Sequence, residues 1–422
     1  MSDVTATVYD HTFFYTSYDM HWQGVIAQTL RGALRKSVSG NEITYKDIWS
    51  GLTVTVTKSG QFVTDLVVEG PVPDGAGNTS DMVLVDASFA TGALKAAKLN
   101  NVFMGYYSSS GDDYRIERLL DNFSYDVTTV STRTVDHYNY NTIIKGGRDD
   151  DTFVFGEGPH HVVGSTGSDR YDGGPGSNSI SYDEFGRGLS MTRSGVELAI
   201  QKTADDSDTL TNFHSIAGSQ RGDNFKVGLG NVESYLVGLG GNDKLGGGSK
   251  ADFLDGGDGK DLILGRSGND LLVGGSGDDR IIGGAGRDVI FGSDGYGYAY
   301  GGEVNTVTGG KGRDLFVLEN GSGYSSGAPM MVITDFRNGV DLLGLIGRDF
   351  TIFEYYDAGT NFDDLTIADS DDGAVISAGI NQIALLEGVD ASDITRRDFV
   401  ELVDYGQIAT QFQFENDTYF YY

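Results

Sequence analysis

The chain has 422 residues, 61 acidic against 30 basic, for a formal net charge of −31. That balance argues against nucleic acid or an anionic membrane surface as a partner, and it suits a protein that gathers cations. Cysteine is absent, which rules out disulfides and thiolate metal sites.

Residues 1–30 carry Asp3, Asp10 and Asp19 and no basic stretch ahead of an apolar run, so they do not read as a Sec signal peptide. From there to about residue 140 the sequence is ordinary and mixed. The segment "GVIAQTLRGALRKSV" (24–38) places Val25, Ile26, Leu30 and Leu34 near one face and predicts a helix. "LTVTVT" (52–57), "FVTDLVV" (62–68) and "MVLVD" (82–86) alternate and are β-branched, so they read as strands. "TGALKAAKL" (91–99) predicts a second short helix, and "YDVTTVSTRTV" (125–135) another strand. Residues 1–140 therefore read as an α+β or β-rich domain of unassigned function. No run of 18 apolar residues exists, so no helix is expected to span a membrane.

Composition shifts at Gly146. "GGRDDDTFV" (146–154), "GSTGSDRYD" (164–172) and "GGPGSNSIS" (173–181) are imperfect copies of a nine-residue unit, and "GSQRGDNFK" (218–226) resumes it after an insertion at 182–216. Six units then run without a gap from Gly238 to Phe291: GLGGNDKLG, GGSKADFLD, GGDGKDLIL, GRSGNDLLV, GGSGDDRII and GGAGRDVIF. "GSDGYGYAY" (292–300) has Gly297 where Asp is expected, "GGEVNTVT" is one residue short, and "GGKGRDLFV" (309–317) is the last good copy. Glycine at positions 1, 2 and 4 permits positive φ and close approach of backbone carbonyls. The last three residues of each unit make a minimal strand whose middle residue faces inward: Leu245, Leu254, Ile263, Leu272, Ile281 and Ile290.

The six units match G-G-x-G-x-D-x-U-x, and residues 146–317 resemble the RTX (repeats-in-toxin) calcium-binding proteins. The resemblance implies a mainly β fold: a right-handed parallel β-roll over 141–317, two units per turn, with a C-terminal β cap over 318–422. It places Asp243, Asp261 and Asp279 on one edge and Asp252, Asp270 and Asp288 on the other. Four interior Ca²⁺ sites follow, at 243/261, 252/270, 261/279 and 270/288. Their oxygens would come from those carboxylates and from the backbone of Gly238, Gly240, Gly247, Gly256, Gly257, Gly259, Gly265, Gly268, Gly274, Gly275, Gly277 and Gly283, since calcium takes six to eight oxygen ligands. Asp151, Asp169, Asp223 and Asp314 are the corresponding candidates in the imperfect copies. Lys250 at position 4 predicts a weakened loop, Leu239 and Arg266 replace the second glycine, and the short unit before Gly309 leaves Asp314 without an assured stacking partner.

"VITDFRNGVDLLGL" (332–345) and "GAVISAGINQIALLEGVDASDITRRDF" (373–399) resemble segments that close RTX rolls, and their alternation predicts antiparallel strands over the open end. The terminal "ENDTYFYY" resembles an uncleaved type I secretion signal. Catalytic patterns are sparse. There is no H-E-x-x-H, and the adjacent His160 and His161 would point apart. "GYSSG" (323–327) lies in a Gly/Ser loop rather than on a strand-to-helix elbow, and the acids Asp112, Asp113, Glu117 and Asp121 also suit a solvated helix start. The expectation is an extracellular, secreted calcium-binding protein that folds on Ca²⁺, engages the type I secretion machinery, and serves a structural, adhesive or self-assembling role at a cell surface. An enzyme acting on polysaccharide through residues 1–140, and a binding or signalling protein using the roll as a folding device, remain the alternatives.

Overall fold

The computed structural model describes residues 4–9, 33–47, 53–73, 79–89, 125–130, 142–145, 150–156, 160–226, 233–293, 302–319, 330–346 and 360–402. The chain divides into two compact units, residues 1–182 with 196–215, and residues 183–195 with 216–422. Among the described residues no helix is long and apolar enough to cross a membrane.

In the first unit the expected helix over 24–38 is corrected where it is described. Ala33–Ser39 is a strand, paired antiparallel with Glu42–Asp47. The cause is the Ser39–Gly40–Asn41 turn: Gly40 sits at φ +59, which reverses the chain and lets the apolar alternation of 42–47 set the register. Residues 24–32 and the expected helix at 91–99 lie outside the described residues. Thr53–Ser59, Phe62–Pro73 and Thr79–Phe89 complete an antiparallel meander, with Val54, Val56, Val63 and Leu66 buried on one face. Val4–Tyr9 pairs antiparallel with Thr79–Phe89 and parallel with Tyr125–Val130. The latter pairs in parallel with Thr152–Val154, and there the repeat architecture begins. Thr152–Val154, Arg170–Asp172 and Asp206–Thr211 stack as parallel rungs of one sheet, and Thr142–Lys145, His160–Val163 and Ser179–Ser181 as rungs of another.

The segment expected as an insertion thus enters the stack. Asp206–Thr211 lies directly on Arg170–Asp172, and Glu197–Thr203 folds back antiparallel on its other side.

In the second unit the nonapeptides form two parallel ladders. Asn224–Lys226, Lys244–Gly246, Leu262–Ser267, Arg280–Gly286, Val304–Gly312 and Met330–Ile333 make one. Tyr235–Val237, Phe253–Asp258, Leu271–Ser276, Val289–Phe291, Leu315–Leu318 and Leu342–Ile346 make the other. The inward residues stack in register, Leu245 on Ile263 on Ile281 on Val307, and Leu254 on Leu272 on Ile290 on Phe316. All are at most 1 % exposed. Each such aliphatic side chain contributes roughly 1.5–3 kcal/mol by leaving water, so this column is the roll's apolar spine.

The C-terminal segments extend the roll before they cap it. Residues 332–345 supply parallel rungs, and Asn381–Glu387 and Phe399–Leu402 add one more to each ladder. Among the described residues of this segment, the antiparallel pairing expected there is found at Leu365–Asp369, Gly373–Ala378 and Asn381–Glu387. "GYSSG", "ENDTYFYY" and the acids at 112–121 lie outside the described residues.

Candidate metal centre

The six turns from Gly238 to Asp288 each end on a buried aspartate, as do those ending at Asp151, Asp169, Asp223 and Asp314, and these aspartates are tied edgewise by one recurring hydrogen bond. The backbone N–H of Asp243 donates to Asp261 Oδ1 at 2.7 Å, and that of Asp261 to Asp279 Oδ1 at 2.8 Å. On the other edge Asp252 N–H donates to Asp270 Oδ1, and Asp270 N–H to Asp288 Oδ1, both at 2.9 Å. The two edges read from the 18-residue spacing are therefore the two edges in space. Asp223 joins the first edge by donating to Asp243 Oδ1 at 2.5 Å, and Asn305 extends it beyond Asp279. The short unit before Gly309 does not strand Asp314: the N–H of Asp288 donates to Asp314 Oδ1 at 3.1 Å, and Asp314 donates on to Asp341 Oδ1 at 3.1 Å. Stacking thus continues across the irregular units, with 26 residues rather than 18 between bonded partners. In the first unit Asp151 N–H donates to Asp169 Oδ1 and Asp169 N–H to Asp208 Oδ1.

With Oδ1 engaged in this way, Oδ2 becomes the informative atom. In Asp243, Asp261, Asp270, Asp279 and Asp288 it is buried and accepts no hydrogen bond. A buried unpaired carboxylate oxygen is costly. Five of them stand in one block at repeating positions, where a bound cation would offset that cost. Glycine carbonyls crowd the same place. A methyl group added to Gly265 would lie 2.5 Å from Asp270 Oδ2 and 2.6 Å from the Gly283 carbonyl, and one on Gly283 would lie 2.5 Å from Asp288 Oδ2 and 2.6 Å from the Gly309 carbonyl. Gly238, Gly247, Gly256 and Gly274 likewise meet the carboxylate of their own turn and the carbonyl 18 residues on. The first glycine is thus bare because oxygens converge on it.

Positions 2 and 4 need left-handed backbone: Gly257, Gly275, Gly259, Gly268 and Gly277 all have positive φ between +88 and +151. Leu239 and Arg266 hold position 2 at φ +73 and +74, a conformation costly for side chains with a Cβ. In the unit beginning at Gly238 the left-handed fourth position is Gly241, at φ +111, so Gly240 is not the turn glycine. The motif itself, counted from Gly238, puts Gly241 at position 4 and Gly240 at the variable position 3. Gly284, Gly286, Gly310 and Gly312 play the same parts in later turns and follow from the same motif.

Asp252 differs from its neighbours. Its Oδ2 accepts the Gly248 N–H at 2.6 Å, in the turn where Lys250 replaces glycine. Asp223 Oδ2 is likewise taken, by the Ser219 N–H at 2.7 Å.

Burial controls the electrostatics. It pushes the Asp243 and Asp270 carboxyls up to about 8, those of Asp279 and Asp288 to about 7, and that of Asp261 to about 6. The backbone N–H of the preceding turn opposes the shift in each case. For Asp243, Asp270, Asp279 and Asp288 the neighbouring carboxylate of the same edge adds to it. Among the described residues no three His, Asp or Glu side chains converge to hold a metal ion by themselves, so backbone carbonyls would have to supply the remaining ligands. The donor set is carboxylate and carbonyl oxygen, which fits a hard ion such as Ca²⁺ and no soft one. His160 and His161 are not a pair: His160 is buried against Phe155, while His161 hydrogen-bonds Ser179.

The family model of the RTX calcium-binding nonapeptide repeat, in four copies, matches residues 162–181, 237–272 and 265–298. No curated protein matches the sequence. Among solved structures, the AlgE6R3 subunit of the Azotobacter vinelandii mannuronan C5-epimerase is similar at 22% identity over 38% of this chain and 77% of its own, with a TM-score of 0.21. The extracellular lipase LipA of Serratia marcescens is similar at 16% identity over 73% of this chain and 50% of its own, with a TM-score of 0.16. RTX nonapeptide repeats bind calcium, and residues 162–181 and 237–298 of this chain match such repeats; their described residues form parallel rungs within each unit.

Proposed function

We propose that this is a secreted protein whose roll folds as it binds Ca²⁺ outside the cell, and that its role there is structural or adhesive. The observation that carries the calcium reading is the set of five buried Asp Oδ2 atoms without a hydrogen bond, in turns whose carbonyls face the same space. Asp243, Asp252, Asp261, Asp270, Asp279 and Asp288 would hold the ions together with the turn carbonyls. The bound ion would supply the positive charge that lets adjacent carboxylates stay ionised and stacked.

Extracellular modules often bind calcium with Kd on the order of 10⁻⁴–10⁻³ M. A site of that affinity is empty in a low-calcium cytosol and filled outside, where ligand at about 100 times Kd adds roughly 2.7 kcal/mol per independent site. An unfolded acidic chain inside and a folded roll outside suits type I export. A net charge of −31 also gives calcium a second use, as a bridge between copies or to an acidic surface.

Isothermal titration of the EGTA-stripped protein tests binding, with light scattering and electron microscopy reading assembly. Several bound calcium ions with ordered polymers support the proposal. A calcium-loaded chain that stays monomeric and coats no cell surface overturns the structural role, and a chain that takes up no calcium overturns the whole reading.

A further inference from the structure

Lys202 is buried in the first unit with its side chain fully excluded from solvent. Its ammonium group donates to the Ser165 and Gly167 carbonyls at 2.6 Å each and to Asp208 Oδ1, and it lies 3.2 Å from Asp206 Oδ1 and 3.7 Å from Asp169 Oδ2. Ser165 and Gly167 are positions 2 and 4 of the turn 164–169, and Asp169 is its position 6. Asp208 is the next carboxylate along that edge, since it accepts the Asp169 N–H at 3.0 Å. A cation from the chain itself therefore sits between successive edge carboxylates and takes turn carbonyls. Lys202 reaches it from a β-bulge: Gln201 pairs with Ser207 and Thr203 with Asp206, leaving Lys202 out of the ladder.

The next turn of that unit is closed in a related way. Asn178 stands at position 6, and its amide Nδ2 donates to the carbonyls of positions 2 and 4, Gly174 at 3.3 Å and Gly176 at 3.2 Å. In the second unit Arg337 repeats the lysine arrangement. Its Nη2 donates to the Gly312 carbonyl at 2.7 Å and to Asp341 Oδ1 at 2.8 Å, and lies 3.4 Å from Asp314 Oδ2. Gly312 and Asp314 are positions 4 and 6, and Asp341 is the next carboxylate of the edge. None of these turns contributes an unpaired buried aspartate oxygen, Asp169 Oδ2 also accepting from Ser165 Oγ at 2.8 Å and the Tyr171 hydroxyl at 3.0 Å, whereas the turns at 243, 261, 270, 279 and 288 all do; in the turns at 223 and 252 a backbone N–H takes that oxygen instead.

We propose that Lys202, Asn178 and Arg337 take the place of calcium in the turns 164–169, 173–178 and 309–314, so that calcium loading is confined to the turns of residues 238–288. The inference rests on the calcium reading above and assigns its limits. Turns held by tethered donors stay assembled at low calcium, and within the second unit the turn held by Arg337 offers the metal-dependent block a preformed rung to fold against.

Hydrogen exchange on the full chain, with calcium and with EGTA, tests this. The amides of Arg170 and Thr209, bonded to the carbonyls of Asp151 and Asp169, should stay protected in EGTA, while those of Leu262 and Arg280, bonded to Asp243 and Asp261, lose protection at least tenfold. Lys202→Ala should bind one more calcium than the parent in titration, and Asp169→Asn should bind the same number. Loss of protection at all four amides together, or loss of one calcium in Asp169→Asn, overturns the inference and leaves the calcium reading intact. Protection unchanged at all four with no calcium uptake overturns the calcium reading and this inference with it. The wild-type exchange experiment decides the matter even where Lys202→Ala fails to fold.

Discussion

Withdrawal of calcium should make the stability of the 238–291 block depend on pH in the direction opposite to ordinary acid denaturation. Asp243, Asp270, Asp279 and Asp288 have folded-state values of about 7 to 8, well above the ordinary carboxylate value, because they are buried. Raised values mean that the metal-free fold binds more protons than the unfolded chain, so its stability is greatest below pH about 4 and falls as pH rises from there to about 8. Each pH unit between the unfolded value and the working pH costs about 1.4 kcal/mol per group. At pH 7 that is roughly 4 kcal/mol for each of these four aspartates, and at pH 5.2 roughly 2 kcal/mol. A typical domain has 5–15 kcal/mol in all, so the metal-free block should be strongly destabilised at pH 7 and should recover toward pH 5.

Circular dichroism in EGTA from pH 8 down to 5.2, above the isoelectric point of 4.3, reads this directly. The β signal should grow as pH falls, and millimolar calcium should abolish the dependence. Calcium uptake at pH 6 should also release protons into the buffer. A metal-free chain with equal β content at pH 8 and 5.2, or less at 5.2, refutes the reasoning.

Asp270→Asn removes a carboxylate flanked by two others of its edge and should lower the calcium count in titration by at least one while leaving the spine intact. Ile281→Ala cuts a fully buried spine residue and should cost roughly 2–5 kcal/mol in denaturant unfolding at saturating calcium. Arg266→Gly relieves a side chain held at φ +74 and should raise stability by up to about 1 kcal/mol in the same assay, against a loss if the guanidinium contributes more than its backbone costs.

The block from Gly238 to Phe291 was legible because one rule recurs six times: a bare first glycine, a left-handed turn, an acid and an inward aliphatic. Six repetitions leave little room for another fold. Outside it the periodicity is a weaker guide. Residues 33–38 carry a pattern compatible with a helix, yet a glycine turn and a strand partner at 42–47 decide their conformation. The hairpin of 197–211 reads as an interruption in one dimension and as a rung in three, because membership depends on where Asp208 lands rather than on motif. Lys202 had no sequence signal: it lies 33 residues beyond Asp169, in a stretch without the repeat. Arg337 was likewise hidden, since only folding brings it over Asp314.

The alternation of rungs between two ladders constrains how such a molecule can lengthen. Copying a single nonapeptide would hand every later side chain to the opposite wall, whereas copying a pair leaves each downstream neighbour as it was. Chain length between rungs matters far less than this parity: Asp261 reaches Asp279 in 18 residues, while Asp288 reaches Asp314 in 26, and both make the same bond. Growth by even steps, with loops free to swell at the ends of rungs, is the mode of evolution and of engineering that this geometry permits.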